Sequence, residues 1–211
     1  MCPSDHMHQS TAVGEVFGQD NRIADSFQDV PVGVITALES YVEAGRDAKE
    51  KQQRRKLVGL IQGKCSLRGG RIAMQGDLNL EGNDFRELQE LPDLCSVEGD
   101  LTRNLSPSEC SKLRALPEGL HVEGDLILSK CSDLTALPKG LYVAGALFLS
   151  QCNLTALPEG LHVEGNLSLW ECFKLTALPD GLHVGRSINL DRCFDVTALP
   201  EGLHVGGTLI L

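Results

Sequence analysis

Two kinds of side chain able to bind a metal or form redox bonds recur at fixed positions in this sequence. Cys110, Cys131, Cys152, Cys172 and Cys193 form one column. His121, His162, His183 and His204 form another, interrupted by Tyr142. Thiolates and imidazoles are ordinary zinc ligands, and paired thiols can close a disulfide. No Cys-x-x-Cys pair occurs, and successive column cysteines stand a whole repeat apart. Stacked repeats would bring them to about 5 Å, near the strand spacing, which permits a disulfide by distance. A buried free cysteine, however, behaves as a small hydrophobe with a weak donor. A structural ladder is therefore the simpler reading, with metal or disulfide as the alternative. Each histidine lies between an inward Leu and an inward Val, so it points outward. A solvated row is the simpler reading there, and a pH-sensitive or metal-binding row the alternative. We assign no metal ligand and no cofactor. No H-E-x-x-H, Walker loop, G-x-S-x-G or dinucleotide fingerprint is present, so nothing supports catalysis and we expect no enzyme.

The elements that position these columns follow from self-similarity. Leu-Pro pairs start at Leu91, Leu116, Leu137, Leu157, Leu178 and Leu199, separated by 25, 21, 20, 21 and 21 residues. The unit reads LPEGLHVEGDLILSKCSDLTA. Leu126 and Leu128 form a period-2 pair on one face of a short strand. Cys131 follows where the chain turns inward, and the Leu-Pro step holds the return segment extended. Gly119 and its equivalents allow the next reversal. This pattern resembles the leucine-rich repeat, L-x-x-L-x-L-x-x-N/C-x-L, in six successive stretches from about Arg71. The first stretch carries Asn83 at the turn. The stretch at 95–116 departs from the rule: RNLSPSEC adds about four residues, and Arg103 occupies a usual Leu position. A protruding loop there could add specificity, and repeat drift is the simpler reading. The expected fold class is an α/β solenoid with short parallel strands on the concave face and extended or polyproline segments on the convex side. A lone unit cannot offset its ordering entropy by burial, so stability is cooperative between neighbours.

The outward strand positions vary while the scaffold does not. The candidate partner-binding residues are Asp125, Ile127, Lys130, Phe148, Gln151, Ser168, Trp170, Glu171, Asn189, Asp191 and Arg192. Exposed aromatics beside Arg are typical interface anchors. Phe173 and Phe194, directly after the cysteines, are expected to pack into the turn.

The charges divide the rest of the chain. Residues 1–44 carry a net −6 and residues 45–72 a net +7, within a total of −10 over 211 residues. An acidic chain of pI near 5.0 is a poor general nucleic-acid binder, and no apolar run approaches the ~18 residues of a membrane span. Residues 1–28 are expected to be mobile. A helical hairpin cap is expected over 29–66, and repeats over 67–211. Asp29-Val30-Pro31 marks the first helix start, with Val32, Ile35, Leu38, Tyr41 and Val42 at helical spacing and Gly45 as the stop. Asp47-x-x-Glu50 looks like a capping box for a second helix carrying KEKQQRRK, Leu57, Leu60 and Ile61. The basic run reads as a solvated face, with Glu50 and Arg54 as an ordinary i,i+4 pair.

This order of segments resembles secreted leucine-rich-repeat effectors of pathogenic bacteria. The LTALPEGL phrases carry the resemblance, and Cys replaces the commoner Asn at the turn. The resemblance implies an N-terminal export signal and a protein partner in a host cell. It also implies residence in the bacterial cytoplasm before export by a route without a signal peptide. Some such effectors carry a ubiquitin-ligase domain behind the repeats. This chain would then be the recognition half, with catalysis beyond Leu211. Leu209-Ile210-Leu211 is a strand with nothing after it to cover the stack. We expect the natural chain to continue, with self-association through that end as the alternative.

Overall fold

The computed structural model describes residues 31–80, 85–102 and 112–211. The expectations for residues 1–28, for Asp29 and Val30 at the first helix start, and for Asn83, Arg103, the RNLSPSEC insertion and Cys110 lie outside the described residues.

Pro31 opens α1 (Val32–Glu43), its carbonyl accepting the Val34 N–H at 2.9 Å. Gly45 ends the turn after it, donating to the Val42 carbonyl. Asp47 caps α2 (Ala48–Ile61), its carboxylate accepting the Glu50 N–H at 2.8 Å. The reciprocal half of the expected capping box is redirected: Glu50 Oε2 accepts from the Arg46 N–H and the Arg46 guanidinium instead. Val34, Ile35, Leu38 and Val42 of α1 meet Leu57, Val58 and Ile61 of α2 in the core. Two expected members of these stripes face solvent: Val32 is 56% exposed and Leu60 51%. Each stands at the rim of an apolar stripe too narrow to bury both of its edges.

A 3-10 turn at Gln62–Lys64 leads into an antiparallel hairpin, β1 (Cys65–Arg68) and β2 (Arg71–Met74). Its two-residue turn is Gly69-Gly70, both at positive φ, a pairing that suits tight hairpins. This hairpin starts the stack. The remaining strands are β3 (Leu78–Asn79), β4 (Leu94–Val97), β5 (Leu101–Thr102), β6 (His121–Val122), β7 (Leu126–Ile127), β8 (Tyr142–Val143), β9 (Leu147–Phe148), β10 (His162–Val163), β11 (Leu167–Ser168), β12 (His183–Val184), β13 (Ile188–Asn189), β14 (His204–Val205) and β15 (Leu209–Ile210). They build two sheets. The first is eight-stranded, in the order β1-β2-β4-β6-β8-β10-β12-β14. The second is seven-stranded, in the order β15-β13-β11-β9-β7-β5-β3. After β2 every pairing is parallel. The protein is thus an α/β solenoid of stacked parallel strands behind a two-helix cap.

Each coil carries two short strands, one in each sheet, and the His-Val pairs, with Tyr142-Val143, belong to the first sheet. A bend at Glu123-Gly124 and its equivalents joins the two. At this corner successive backbones approach closely. A Cβ on Gly145 would stand 2.5 Å from the Gly124 carbonyl oxygen, and one on Gly165 would collide with that of Gly145. The space a side chain would fill is used by backbone hydrogen bonds, Gly145 N–H to Gly124 and Gly165 N–H to Gly145, both at 3.0 Å. Inside, Leu126, Leu128, Leu134, Leu137, Leu141 and Val143 and their repeats form one continuous core.

Candidate functional site

The side chain after each inward Leu faces outward because strand residues alternate faces. The parallel register therefore aligns Ile127, Phe148, Ser168 and Asn189 into one row on the second sheet. All four are half-buried, between the buried residues on either side. A second row follows at the strand ends: Ser129, Ser150, Trp170 and Asp191.

The third row is Lys130, Gln151, Glu171 and Arg192. All four have positive φ, between 59° and 65°. The chain turns inward here, and the cysteine N–H closes the turn on the carbonyl three residues back. Examples are Cys152 to Leu149 at 3.2 Å and Cys193 to Leu190 at 2.9 Å. A positive φ at the third residue of such a turn is a type II geometry, which favours Gly or Asn. Long side chains there cost on the order of 1–2 kcal/mol each. The stack holds them: the Lys130, Gln151 and Glu171 N–H groups donate to the Ser150, Trp170 and Asp191 carbonyls. Their side chains join across repeats. Gln151 Nε2 donates to Glu171 at 2.6 Å, Arg192 donates to the other Glu171 oxygen at 2.6 Å, and the Arg192 guanidinium lies 6.0 Å from the Trp170 ring centre.

The structure thus brings Gln151, Trp170, Glu171 and Arg192 into one cluster beside the Ile127–Phe148–Ser168–Asn189 row. Two candidates have local duties as well. Asp125 sits at the corner, where its carboxylate accepts the Ala146 N–H at 2.7 Å. Asn189 accepts the Asp191 N–H at 2.9 Å. Phe148 also lines an open depression at the corner, together with Asp125, Gly145, Asn166 and Arg186.

The cysteine column is a structural ladder. Cys131, Cys152, Cys172 and Cys193 are buried and unbridged. The thiols of Cys152, Cys172 and Cys193 donate to the carbonyls of Leu128, Leu149 and Leu169 in the preceding coil, at 3.1, 3.1 and 3.0 Å. Burial pushes the Cys172 thiol up to about 11 and raises those of Cys152 and Cys193 too. These are protonated donors, poor as nucleophiles or metal ligands.

Phe173 and Phe194 do not pack into the turn. They are 52% and 76% exposed and stack on each other, ring centres 6.3 Å apart. Ser132 and Asn153 fill the same position in earlier coils, where the Asn153 amide donates to the Ser132 carbonyl. The position faces water, because the cysteine and the following Leu already fill the turn.

The basic helix also departs from expectation. Glu50 and Arg54 are 1% and 4% exposed. Their 3.0 Å ion pair lies under the cap. Arg54 also donates to the Tyr41 carbonyl at 2.7 Å and stacks on the Tyr41 ring, while Gln53 accepts the Glu87 N–H. The run therefore splits by helical phase, with one edge inward onto α1 and the first coil and the other solvated.

The histidine row, expected as a solvated row, is ordered along its length. Its rings stack in one column, His121–Tyr142–His162–His183–His204, with centres 4.3, 5.2, 4.5 and 4.6 Å apart and planes within 13°. Carboxylates two residues on reach back to two of them: His121 to Glu123 at 3.0 Å and His162 to Glu164 at 2.9 Å. The His-x-Glu spacing was the available signal. No known protein family, curated protein or solved structure matches the chain. Among the described residues, no helix is long and apolar enough to cross a membrane.

Proposed function

We propose that the chain is a protein-recognition module that presents the outward face of its second sheet to a protein partner. The positive-φ row carries this reading. Lys130, Gln151, Glu171 and Arg192 occupy turn positions where Gly would cost less, and each supplies a long polar side chain at the edge of the face. Strain retained on a regular scaffold points from the outlier to a use. Phe148 and Trp170 beside them supply the apolar anchors of a hot spot. A rigid stack loses little conformational freedom on this side when it binds.

The resemblance to secreted bacterial effectors extends the proposal: the partner is a host protein, met after export. The double variant Phe148→Ala/Trp170→Ala tests the reading. A partner captured from host lysate by the full chain should bind the variant at least about tenfold more weakly, a loss of about 1.4 kcal/mol. Equal affinity would place recognition elsewhere.

A further inference from the structure

The ring column carries more than stacking. Only at one step does it place two imidazoles side by side with a carboxylate. His121 has Glu123 but is followed by Tyr142. His183 and His204 stack at 4.6 Å but have Gly185 and Gly206 two residues on. His162 has both, with Glu164 on its own strand end and His183 stacked 4.5 Å away in the next coil. Donor atoms of His162, Glu164 and His183 all lie within 4.8 Å of one another.

We propose that these three side chains bind a divalent transition-metal ion of the zinc class. Three atoms mutually within 4.8 Å share a point no more than about 2.8 Å (4.8/√3) from each, and when the two stacked rings turn their in-plane lone pairs toward that point the donors reach the ~2.0–2.2 Å of zinc–imidazole and zinc–carboxylate bonds. Two imidazoles and one carboxylate suit zinc, with the fourth position open to water, whereas calcium and magnesium favour all-oxygen sets. The carboxylate is prepared for the role. The His162 hydrogen bond, its charge, the Tyr142 hydroxyl and the charge of His183 together hold Glu164 below its ordinary range, against partial desolvation. The Tyr142 O–H stands 3.4 Å from the same oxygen and orients it from the preceding coil. An ion here ties two successive coils together and stabilises the folded stack by mass action.

The test titrates metal-stripped full-length protein with Zn²⁺ alone by calorimetry, with melting temperature as a parallel readout. One ion should bind per chain and raise the melting temperature. His183→Phe keeps a ring in the column, as Tyr142 does in its own coil, and removes the nitrogen. Its affinity should fall at least about tenfold, and the zinc-dependent rise in melting should vanish. His121→Phe should bind as the parent does. Glu164→Gln lies outside the ring column, leaves stacking untouched and should also weaken binding. Absence of saturable one-to-one binding by the parent would overturn the proposal. Undiminished affinity in His183→Phe or Glu164→Gln would overturn it equally, by assigning the ion to other ligands.

Discussion

Replacing Arg54 by Met tests the buried polar joint of the cap. Arg54 is 4% exposed and bonds the Glu50 carboxylate at 3.0 Å and the Tyr41 carbonyl at 2.7 Å. Methionine fills much of the volume but leaves Glu50 with Arg46 alone. Removing one partner of a buried pair costs about 3–5 kcal/mol. The surviving Arg46 contacts put this case near the lower end, about 3 kcal/mol. Stability of a stacked protein is local to neighbouring coils, so the loss belongs to the helices and the first coil. Far-ultraviolet circular dichroism at 222 nm follows α1 and α2 during guanidinium unfolding, and Trp170 fluorescence follows the middle of the solenoid. The helical transition should move to distinctly lower denaturant while the Trp170 transition moves less. A change below about 1 kcal/mol, the range of an exposed ion pair, would refute the reasoning.

Acid should release the same joint. Burial alone would raise the Glu50 carboxyl, but the Arg46 and Arg54 hydrogen bonds and the Arg54 charge outweigh it and hold it below 4.5; Lys112 and Lys49 hold Glu87 at about 2. Groups depressed on folding stabilise fully above their unfolded value, so helical stability should hold above about pH 4.5 and decline from there toward pH 2 in a pH-resolved melt. Gly165→Ala drives a Cβ into the Gly145 carbonyl, with only backbone to yield. Its melting transition should show a loss of about 1–3 kcal/mol, and a neutral result would contradict the close-approach corner. Lys130→Gly relieves the positive φ at the cost of unfolded-chain entropy. Its melting temperature should match or exceed the parent's, while a clear drop would show that the turn is not strained. A thiol reagent on native protein should leave Cys131, Cys152, Cys172 and Cys193 unmodified by peptide mapping. Ready labelling of any of them would contradict the buried ladder.

The repeat made the solenoid legible because one rule was written several times. Leu126 and Leu128 fixed a strand face, Cys131 a turn, and Gly119 a positive φ of 62°. The helix boundaries followed from Pro31, Gly45 and Asp47. Features decided across coils were less legible. Glu50 and Arg54 look like a surface pair until α1 and the first coil are packed over them. The corner glycines are explained only by the backbone of the neighbouring coil. Hydrophobicity alone points Phe173 and Phe194 inward, whereas Ser132 and Asn153 at the same position mark it as solvent-facing. In the candidate site, the outward row could be read from alternation. The strain at Lys130 and its equivalents could not, because their residue types give no sign of a left-handed turn. The imidazole column required a second parallel ladder that the Leu-x-Leu motif does not announce.

Hydroxyl-radical footprinting of the chain with and without its partner tests the central claim most directly, because each face carries oxidisable side chains. Mass spectrometry then compares Phe148 and Trp170 on the second sheet with His162 and His183 on the first, and with Phe173 and Phe194 at the turn. The account predicts protection of Phe148 and Trp170 in the complex, with the imidazole column and the turn phenylalanines unchanged. Protection of the histidines or of Phe173 and Phe194, with Phe148 and Trp170 as reactive as in the free chain, would contradict it.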